Sequence, residues 1–593
     1  MNKKIVSDNL FEVSFEVCNR VGGIYRVLES KAKRMVYHYG DSYFLIGPYF
    51  PHKAKGEFKE EAVPKELKPV FQKMSEEGIT CYYGRWMVEG KPKTILIEVN
   101  SYFNNIDNIK KELWDNFQVD SLNVGHDFNE PVCWSYVTGK LINEIALVDK
   151  KKKTTAHFHE WLCAAGLLYL KKNNSPVRSV FTTHATTLGR SLAFHSVNFY
   201  PILKEINVKE EVIRMGIQAK HSIESSAAVE SDVFTTVSEI TALEAEHFLG
   251  RKPDIVLPNG LDMEKYLTFE EVVIKHRLQR RRLRRFVASY FFPYYTFDLE
   301  KTLFYFLIGR NEFKAKGVDV FIRSLGKLND KMKEEKSEKT IVAFLFIPTQ
   351  TKGIDPSLLE NMEYFRDLQD SLESVFPQIE ERITYSLIRG KRISKESLIG
   401  KDYLLEIDKK LLRMNRKGEN PSLCTHHLAV PHSDIMDALK EAELFNKEED
   451  PVKVVFYPSY LTGHDGLSNL SYNETLEACH LGVFPSFYEP WGYTPLEAAA
   501  LGVASVTTDL SGFGRFCNKL EVKKKTPGIY VLERETKEED ETVEDLYTFM
   551  HRFSQLSRQE RVLNKIEARK ISAEANWEKF VLNYIDAHNA SHS

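Results

Sequence analysis

The segment Phe484-Pro485-Ser486-Phe487-Tyr488-Glu489-Pro490-Trp491-Gly492-Tyr493-Thr494-Pro495-Leu496-Glu497 concentrates chemistry-bearing residues in this chain. Two carboxylates, Glu489 and Glu497, stand among three prolines and one glycine. Glu489 precedes a proline, which steers a residue out of the helical region, so Glu489 is expected on a rigid loop. Thr494, Pro495 and Glu497 fit a helix start, with threonine as N-cap, proline at the first position and glutamate three after the cap. Glu497 thus has a plain capping explanation, and Glu489 has none. The amides of that helix start would face a phosphate.

Arg310 and Lys316 lie on Gly309-Arg310-Asn311-Glu312-Phe313-Lys314-Ala315-Lys316-Gly317, directly after the apolar run Leu303–Ile308. Two cations on one strand-to-helix turn could hold a diphosphate leaving group and stabilise its developing charge. On this segment alone they equally fit two surface cations. Asn19-Arg20-Val21-Gly22-Gly23-Ile24-Tyr25 marks another strand-to-helix junction. Its glycines leave room for a ligand at the backbone, and helix-start amides favour an anion; an ordinary turn looks the same. It is not G-x-G-x-x-G, so a dinucleotide is not indicated. His184 follows the strand Val177–Phe181, and His157-Phe158-His159-Glu160-Trp161 holds the same kind of position. Open α/β sheets bind ligands past the carboxyl ends of their strands, so two histidine-bearing strand ends point to a site. Arg277, Arg280, Arg281, Arg282, Arg284 and Arg285 crowd together. They fit a solvated helix face or a phosphate site, since guanidinium groups suit phosphate oxygens.

The elements that must position these residues alternate between strand and helix. In the first half, 11–17, Tyr43–Ile46, Thr94–Val99, Thr154–Phe158, Ser179–Thr183, Val233–Val237 and Asp254–Leu257 read as strands. Helical patterns follow several of them, such as Trp161–Lys171 and Glu239–Leu249. A second series runs through Leu303–Ile308, Ile341–Phe346, Val452–Tyr457, Leu481–Pro485 and Ala504–Thr508. This alternation argues for parallel sheets covered by helices. At 593 residues the chain exceeds one ordinary core, so two large domains are expected. Between about 355 and 415 the pattern turns helical; Leu358, Met362, Phe365, Leu368, Leu372 and Phe376 suggest an amphipathic helix used for packing or oligomerisation. The net charge of −3 gives no push toward nucleic acid or anionic membrane. Seven cysteines without paired spacing argue against a disulfide framework or zinc site and for a reducing compartment. Met1-Asn2-Lys3-Lys4 reads as a charged approach to a strand rather than a signal peptide. No apolar run reaches the roughly 18 residues of a spanning helix. The expectation is a cytoplasmic protein with neither nucleic-acid nor membrane partner.

The E-x7-E spacing of Glu489 and Glu497 signals retaining nucleotide-sugar transferases with two Rossmann-like domains. The segments Glu16–Tyr25, Phe158–Trp161, Phe181–Arg190, Asp232–Thr241, Glu244–Phe248, Lys252–Leu261, Leu423–His426, His480–Pro495 and Ser505–Gly514 go further. In order, and over about residues 11–580, they resemble glycogen synthase of the animal and fungal type. Bacterial-type glycogen or starch synthases use a Lys-x-Gly-Gly loop and usually an ADP-sugar; here Arg20 replaces that lysine.

The resemblance implies an α/β fold of two Rossmann-like domains facing across a cleft (the GT-B type), with a helical insertion in the second. Residues 1–262 would form the acceptor-side domain, completed by the C-terminal helix 572–593. Residues 263–571 would bind the nucleotide sugar, with the insertion at about 355–415. The implied reaction moves glucose from UDP-glucose to the non-reducing end of an α-1,4-glucan such as glycogen, with retention and without metal or cofactor. Carried over by motif, Glu489 lies by the glucosyl ring and is essential for transfer, Arg310 and Lys316 hold the diphosphate, and His184 lies under the sugar. Arg190 contacts the donor or its phosphate, and Arg20, Gly22 and Gly23 line the donor site. Tyr472 stacks on uracil; Tyr493, Thr494 and Glu497 complete the donor pocket. Glu160 belongs to the acceptor side. His276, Arg280, His480, Arg561 and Lys565 match positions around a glucose 6-phosphate effector, although Ser557–Lys565 has fewer arginines than its counterparts and an added Glu560. The insertion implies a homo-oligomer, with a tetramer favoured. Relatives carry phosphorylated tails; this chain begins about ten residues before its first strand and ends at Ser593, so such control is not expected. Retention could use a covalent intermediate, but the family is thought to react on one face with help from the leaving phosphate, which makes Glu489 a stabilising and positioning group. Two alternatives stay open: a retaining hexosyltransferase of this fold using ADP-glucose or a small acceptor, and a non-catalytic glucan-binding scaffold.

Overall fold

The computed structural model describes residues 3–266, 269–430, 432–520 and 525–593. Its first sheet holds β1 (Asn9–Val13), β2 (Tyr43–Pro48), β3 (Phe58–Glu60), β4 (Thr80–Trp86), β5 (Lys93–Glu98), β6 (Thr154–His159), β7 (Arg178–Thr183), β8 (Val233–Thr236) and β9 (Ile255–Val256). Its order is β3-β4-β5-β2-β1-β6-β7-β8-β9. All pairings are parallel except those of β4 with β3 and β5. The second sheet holds β10 (Thr302–Ile308), β11 (Thr340–Phe346), β14 (Val452–Tyr457), β15 (Leu481–Val483), β16 (Ala504–Thr508) and β17 (Ile529–Leu532), and a small hairpin joins β12 (Thr351–Ile354) to β13 (His426–Leu428). The second order is β14-β11-β10-β15-β16-β17, parallel throughout.

Both sheets are doubly wound. The chain starts at the centre, winds outward to one edge, then returns to the centre and winds to the other. The direction reverses between β1 and β6 in one sheet and between β10 and β15 in the other. Such switch points open a crevice at the carboxyl ends of the strands. Strands covered on both faces read as continuous apolar runs. Thr302–Ile308 and Thr340–Phe346 illustrate this: each is buried along nearly its whole length.

The C-terminal segment returns to the first sheet. Leu261 N donates to Ala575 O (3.0 Å), and Trp577 N donates to Leu261 O (3.1 Å). Beyond that bridge the helix Trp577–Ala590 packs on the helix Gly23–Tyr39; Trp577 Nε1 donates to Ser30 Oγ (2.8 Å). The expected insertion forms helices Pro356–Ile388, Lys395–Ile399 and Lys401–Met414. Its first helix buries Leu358 and Val375 and leaves Phe376 62% exposed, so the apolar stripe shifts by one residue at its far end. Among the described residues no helix is long and apolar enough to cross a membrane.

Three local expectations differ. The strand expected over 11–17 ends at Val13, and the chain turns at Ser14, whose N donates to Ile46 O (3.1 Å). The antiparallel pair β3 and β4, and β17 at the far edge, carry weaker apolar patterns that the sequence reading passed over. The helix after Glu489 starts at Tyr493, not after Thr494. Its N-cap is Gly492 at φ 106°, a left-handed conformation suited to glycine. Thr494 and Pro495 therefore lie inside the first turn, and Thr494 does not cap.

Candidate active site

The site residues cluster past the two switch points. In the second sheet the loop after β10 is bound to the loop after β15. Phe487 N donates to Ala315 O (3.1 Å), and Gly317 sits so close to Pro485 that an added Cβ would lie 2.1 Å from its carbonyl oxygen. Gly317 also has φ 67°, so this approach needs glycine twice over. The result is an ion pair between Lys316 Nζ and Glu489 Oε2 at 2.6 Å, both side chains partly buried. The Glu489 loop is pinned from its other side, where Gly512 N donates to Glu489 O (3.2 Å) and Phe513 N to Trp491 O (2.7 Å). Arg310 is 75% exposed and pairs with Glu312 at 3.0 Å. Its ion pair is thus not with Glu489, so only Lys316 of the two cations is docked onto that carboxylate.

Glu497 accepts from the Tyr472 hydroxyl at 2.7 Å, which joins the two residues assigned to the nucleotide. Burial raises the Glu497 carboxyl, against the Tyr472 hydrogen bond and the positive charge of Arg26 from the first domain. Tyr493 directs its hydroxyl toward Gly260 O (3.4 Å), also in the first domain. The backbone N–H groups of Tyr493 and Thr494 make no hydrogen bond among the described residues.

In the first domain, Arg20, Gly22 and Gly23 are exposed at the start of the helix Gly23–Tyr39. An added Cβ at Gly23 would meet nothing within 4 Å. A protein carboxylate already uses part of this helix start. Glu16 Oε2 accepts from Gly22 N (2.9 Å) and Tyr25 N (2.8 Å). Glu16 is a site residue that sequence reasoning did not single out.

His184, Glu160 and Arg190 meet at the carboxyl ends of β6 and β7. Glu160 has φ 67°, an uncommon conformation for a side-chain-bearing residue and one that clusters at functional sites. Its Oε1 accepts from His184 N (2.9 Å) and Ala185 N (3.2 Å) and lies 3.8 Å from Arg190 Nη2. Burial pushes the Glu160 carboxyl up to about 7, against the pull of Arg190 and with help from Glu224. Arg190 is more than half exposed and interacts electrostatically with Glu160 and, across the cleft, with Tyr488 and Glu312. His184 Nε2 is 3.0 Å from His159 Nδ1.

Two further buried carboxylates hold the loop carrying His184. Glu224 accepts from Thr183 Oγ1 (2.6 Å) and Thr187 N (2.8 Å). Glu244 accepts from Thr186 N (3.3 Å) and, from the second domain, the Tyr488 hydroxyl (3.4 Å). Burial pushes Glu244 up to about 8 despite those bonds. A sequence signal existed: Glu244 lies between Ile240 and Phe248 on the buried stripe of its helix, where a carboxylate needs a reason. Glu12, His157 and His159 bring three ligand-type atoms within 4.8 Å of one another. Lys31 already pairs with Glu12 there, both side chains fully buried, and supplies the positive charge that a metal would bring.

The expected effector residues form a second cluster. His276 donates from Nε2 to Leu501 O (2.8 Å) and accepts at Nδ1 from Lys565 Nζ (2.5 Å). Arg280 donates to Ala478 O and Cys479 O, His480 Nδ1 accepts from Phe304 N, and Arg561 donates to Leu556 O. Arg280, Arg561 and Lys565 have no carboxylate ion pair among the described residues. Burial, with Arg280 and Arg561 adding repulsion, pushes Lys565 down to about 7. The rest of the arginine run is divided: Arg282 and Arg284 pair with Glu474 and Glu300, while Arg277, Arg281 and Arg285 are exposed.

A sequence model of the family described as glycogen synthase matches residues 12–593. Glycogen [starch] synthase isoform 1 of Saccharomyces cerevisiae is 38% identical over 609 aligned residues, covering 99% of this chain and 86% of the yeast protein. The chain belongs to the glycogen synthase family. The Homo sapiens liver glycogen [starch] synthase is 35% identical over 96% of this chain and 81% of its own length. Among solved structures, the catalytic domain of Arabidopsis thaliana starch synthase IV bound to ADP and acarbose aligns with a TM-score of 0.49 and 13% identity, covering 98% of this chain and 99% of that one. Membership makes the chain a glycosyltransferase, and the two doubly wound sheets are the architecture expected for it.

Proposed function

We propose that the chain transfers glucose from UDP-glucose to the non-reducing end of an α-1,4-glucan such as glycogen, with retention of configuration. The Lys316–Glu489 pair at the β10/β15 switch point is the observation that carries this reading. It holds a cation suited to a departing diphosphate against a carboxylate suited to a developing sugar cation. Arg310, free to turn from its exposed pair with Glu312, joins Lys316 on the diphosphate. The amides of Tyr493 and Thr494, without a hydrogen bond among the described residues, add partial positive charge there. These groups supply the charge that a metal would otherwise provide, so no metal or cofactor is part of the proposal. Tyr472 and Glu497 receive the nucleoside, with Tyr493 flanking them. Arg20, Gly22 and Gly23 close the phosphate side from the first domain, and Gly23 leaves open space there. His184 and Arg190 face the glucosyl unit and its phosphate, and Glu160 faces the acceptor. The working division is residues 1–262 with 572–593 against 263–571.

The test is UDP release from UDP-glucose with glycogen present, run against ADP-glucose. Faster release from ADP-glucose overturns the donor assignment, and failure to release UDP at all favours a glucan-binding scaffold. The cationic cluster of Arg280, Arg561 and Lys565 supports an effector site for glucose 6-phosphate. Tyr385, Leu387, Ile388, Leu405 and Leu412 leave apolar surface on the insertion helices, each more than half exposed, which supports assembly there into a tetramer. Scattered unpaired cysteines support a reducing, cytoplasmic setting.

A further inference from the structure

The polar groups beneath His184 form a connected network whose hydrogens follow from what each atom can donate. Glu12 pairs with Lys31, and the Tyr43 hydroxyl donates to the other carboxylate oxygen. Burial alone would raise the Glu12 carboxyl, but Lys31 and His159 outweigh it and hold Glu12 well below the usual range. Glu12 is therefore an acceptor only. His159 Nε2 lies 2.8 Å from Glu12 Oε1, so that nitrogen carries a hydrogen. A second hydrogen on His159 would place two buried cations against one carboxylate. Burial, aided by Lys31, outweighs the Glu12 hydrogen bond and keeps His159 below the ordinary imidazole range. His159 Nδ1 is then a lone pair, and His184 Nε2, 3.0 Å away, must donate to it. That leaves His184 Nδ1 as a lone pair with no hydrogen bond among the described residues.

The neighbouring histidine is excluded from this chain by its own partners. The Thr235 hydroxyl donates to Phe181 O (3.1 Å), so Thr235 Oγ1 accepts from Thr182 (2.6 Å). Thr182 Oγ1 in turn accepts from His157 Nε2 (2.6 Å). His157 Nδ1 accepts from His588 Nε2 (3.0 Å), and His588 Nδ1 from the Tyr39 hydroxyl (2.8 Å). Both nitrogens of His157 are spent, and Nδ1 remains 3.9 Å from Glu12 Oε1. Glu12 orients His159 alone.

We propose that Lys31, Glu12 and His159 are positioning residues that lock His184 in the neutral Nε2–H tautomer, so that its Nδ1 accepts a hydrogen bond from a hydroxyl of the donor's glucosyl unit. The inference rests on the proposed reading of His184 as facing the sugar. It makes His184 a hydroxyl-reading group, not a proton donor. A donor lacking the matching hydroxyl leaves the lone pair unpaired.

The test uses the full chain labelled with 15N in its histidines, and the singly deoxygenated analogues of UDP-glucose. Ring-nitrogen shifts, assigned by their loss in His184→Ala, should show His184 protonated at Nε2 and bare at Nδ1. One deoxy donor should be used about tenfold more slowly than UDP-glucose, the usual scale for losing one hydrogen bond to a buried partner. His159→Phe keeps the ring volume and leaves Glu12 with Lys31 and Tyr43. It should reduce that handicap to about twofold without changing UDP affinity, because the lone pair is no longer held in place. His159→Gln, whose amide can accept from His184 and donate to Glu12, should restore the handicap. A hydrogen on His184 Nδ1, or a handicap that persists in His159→Phe, overturns the relay. Should His159→Phe fail to fold, the wild-type ring shifts still decide it. Absence of any transfer by the wild type overturns the glucosyl-transfer reading, and those shifts still test the relay on its own.

Discussion

Replacing Glu489 by Gln removes one negative charge and little volume. That charge is 2.6 Å from Lys316 Nζ, in a pair whose side chains are 15% and 26% exposed. A diphosphate competes with Glu489 for Lys316, so the substitution should leave UDP binding unchanged or make it about two- to fivefold tighter, the range expected for losing a partly exposed pair. Transfer should respond very differently. A carboxylate about 4 Å from a developing sugar cation, at an effective dielectric of about 20, contributes about 4 kcal/mol, or roughly a thousandfold in kcat. The assay pairs calorimetric UDP binding with UDP release in the presence of glycogen. A variant that keeps kcat within about tenfold of wild type refutes transition-state stabilisation by Glu489 on that scale. Loss of UDP affinity comparable to the loss in rate would instead make Glu489 a nucleotide-binding residue.

Gly317→Ala should lower both kcat and stability, because a Cβ 2.1 Å from the backbone Pro485 O, at a left-handed φ, must displace the Lys316 loop; activity and thermal unfolding measured together check it, and unchanged turnover would show the loop contact to be dispensable. Lys565→Met should raise the unfolding temperature near pH 7, since it removes a buried cation with no carboxylate partner among the described residues, and should abolish any response to glucose 6-phosphate. Because the folded pKa of Lys565 is depressed from 10.5 to about 7, the unfolded chain binds the extra proton between those values, and wild-type stability gains from this group as pH rises through that window. Glu244 has the opposite sign. Its folded pKa is raised from 4.5 to about 8, so the native state holds the extra proton and its contribution falls as pH rises between those values. Glu244→Gln should flatten that fall in a pH series of denaturant unfolding; an unchanged slope would remove the assignment.

The strand ends were legible because parallel strands buried on both faces are continuous apolar runs, and the chemistry-bearing segments follow them directly. Histidine at the ends of β6 and β7 and cations after β10 could be read in this way. The starting point of the Tyr493–Ala500 helix could not, because Gly492 takes a left-handed conformation and begins the helix before the apparent threonine cap. The carboxylates that hold the site were harder still. Glu12 stands between Phe11 and Val13 in a central strand, with partners 19 and 147 positions away. Glu224 and Glu244 grip the loop 183–187 from two separate helices. Their signal is local, a charge on a buried face, but its meaning depends on contacts that only the folded chain creates. The Lys316–Glu489 pair spans 173 positions and needed Gly317 to let two loops touch.

Two doubly wound domains, with Lys316 and Glu489 joined at a switch point, fit a retaining glucosyl transferase. The most direct test incubates the protein with UDP-glucose and a maltooligosaccharide and follows released UDP together with the anomeric configuration of the new linkage by proton NMR. Stoichiometric UDP release with a new α-1,4 linkage is the predicted result. A β-linked product, or glucan binding without UDP release, would contradict the account.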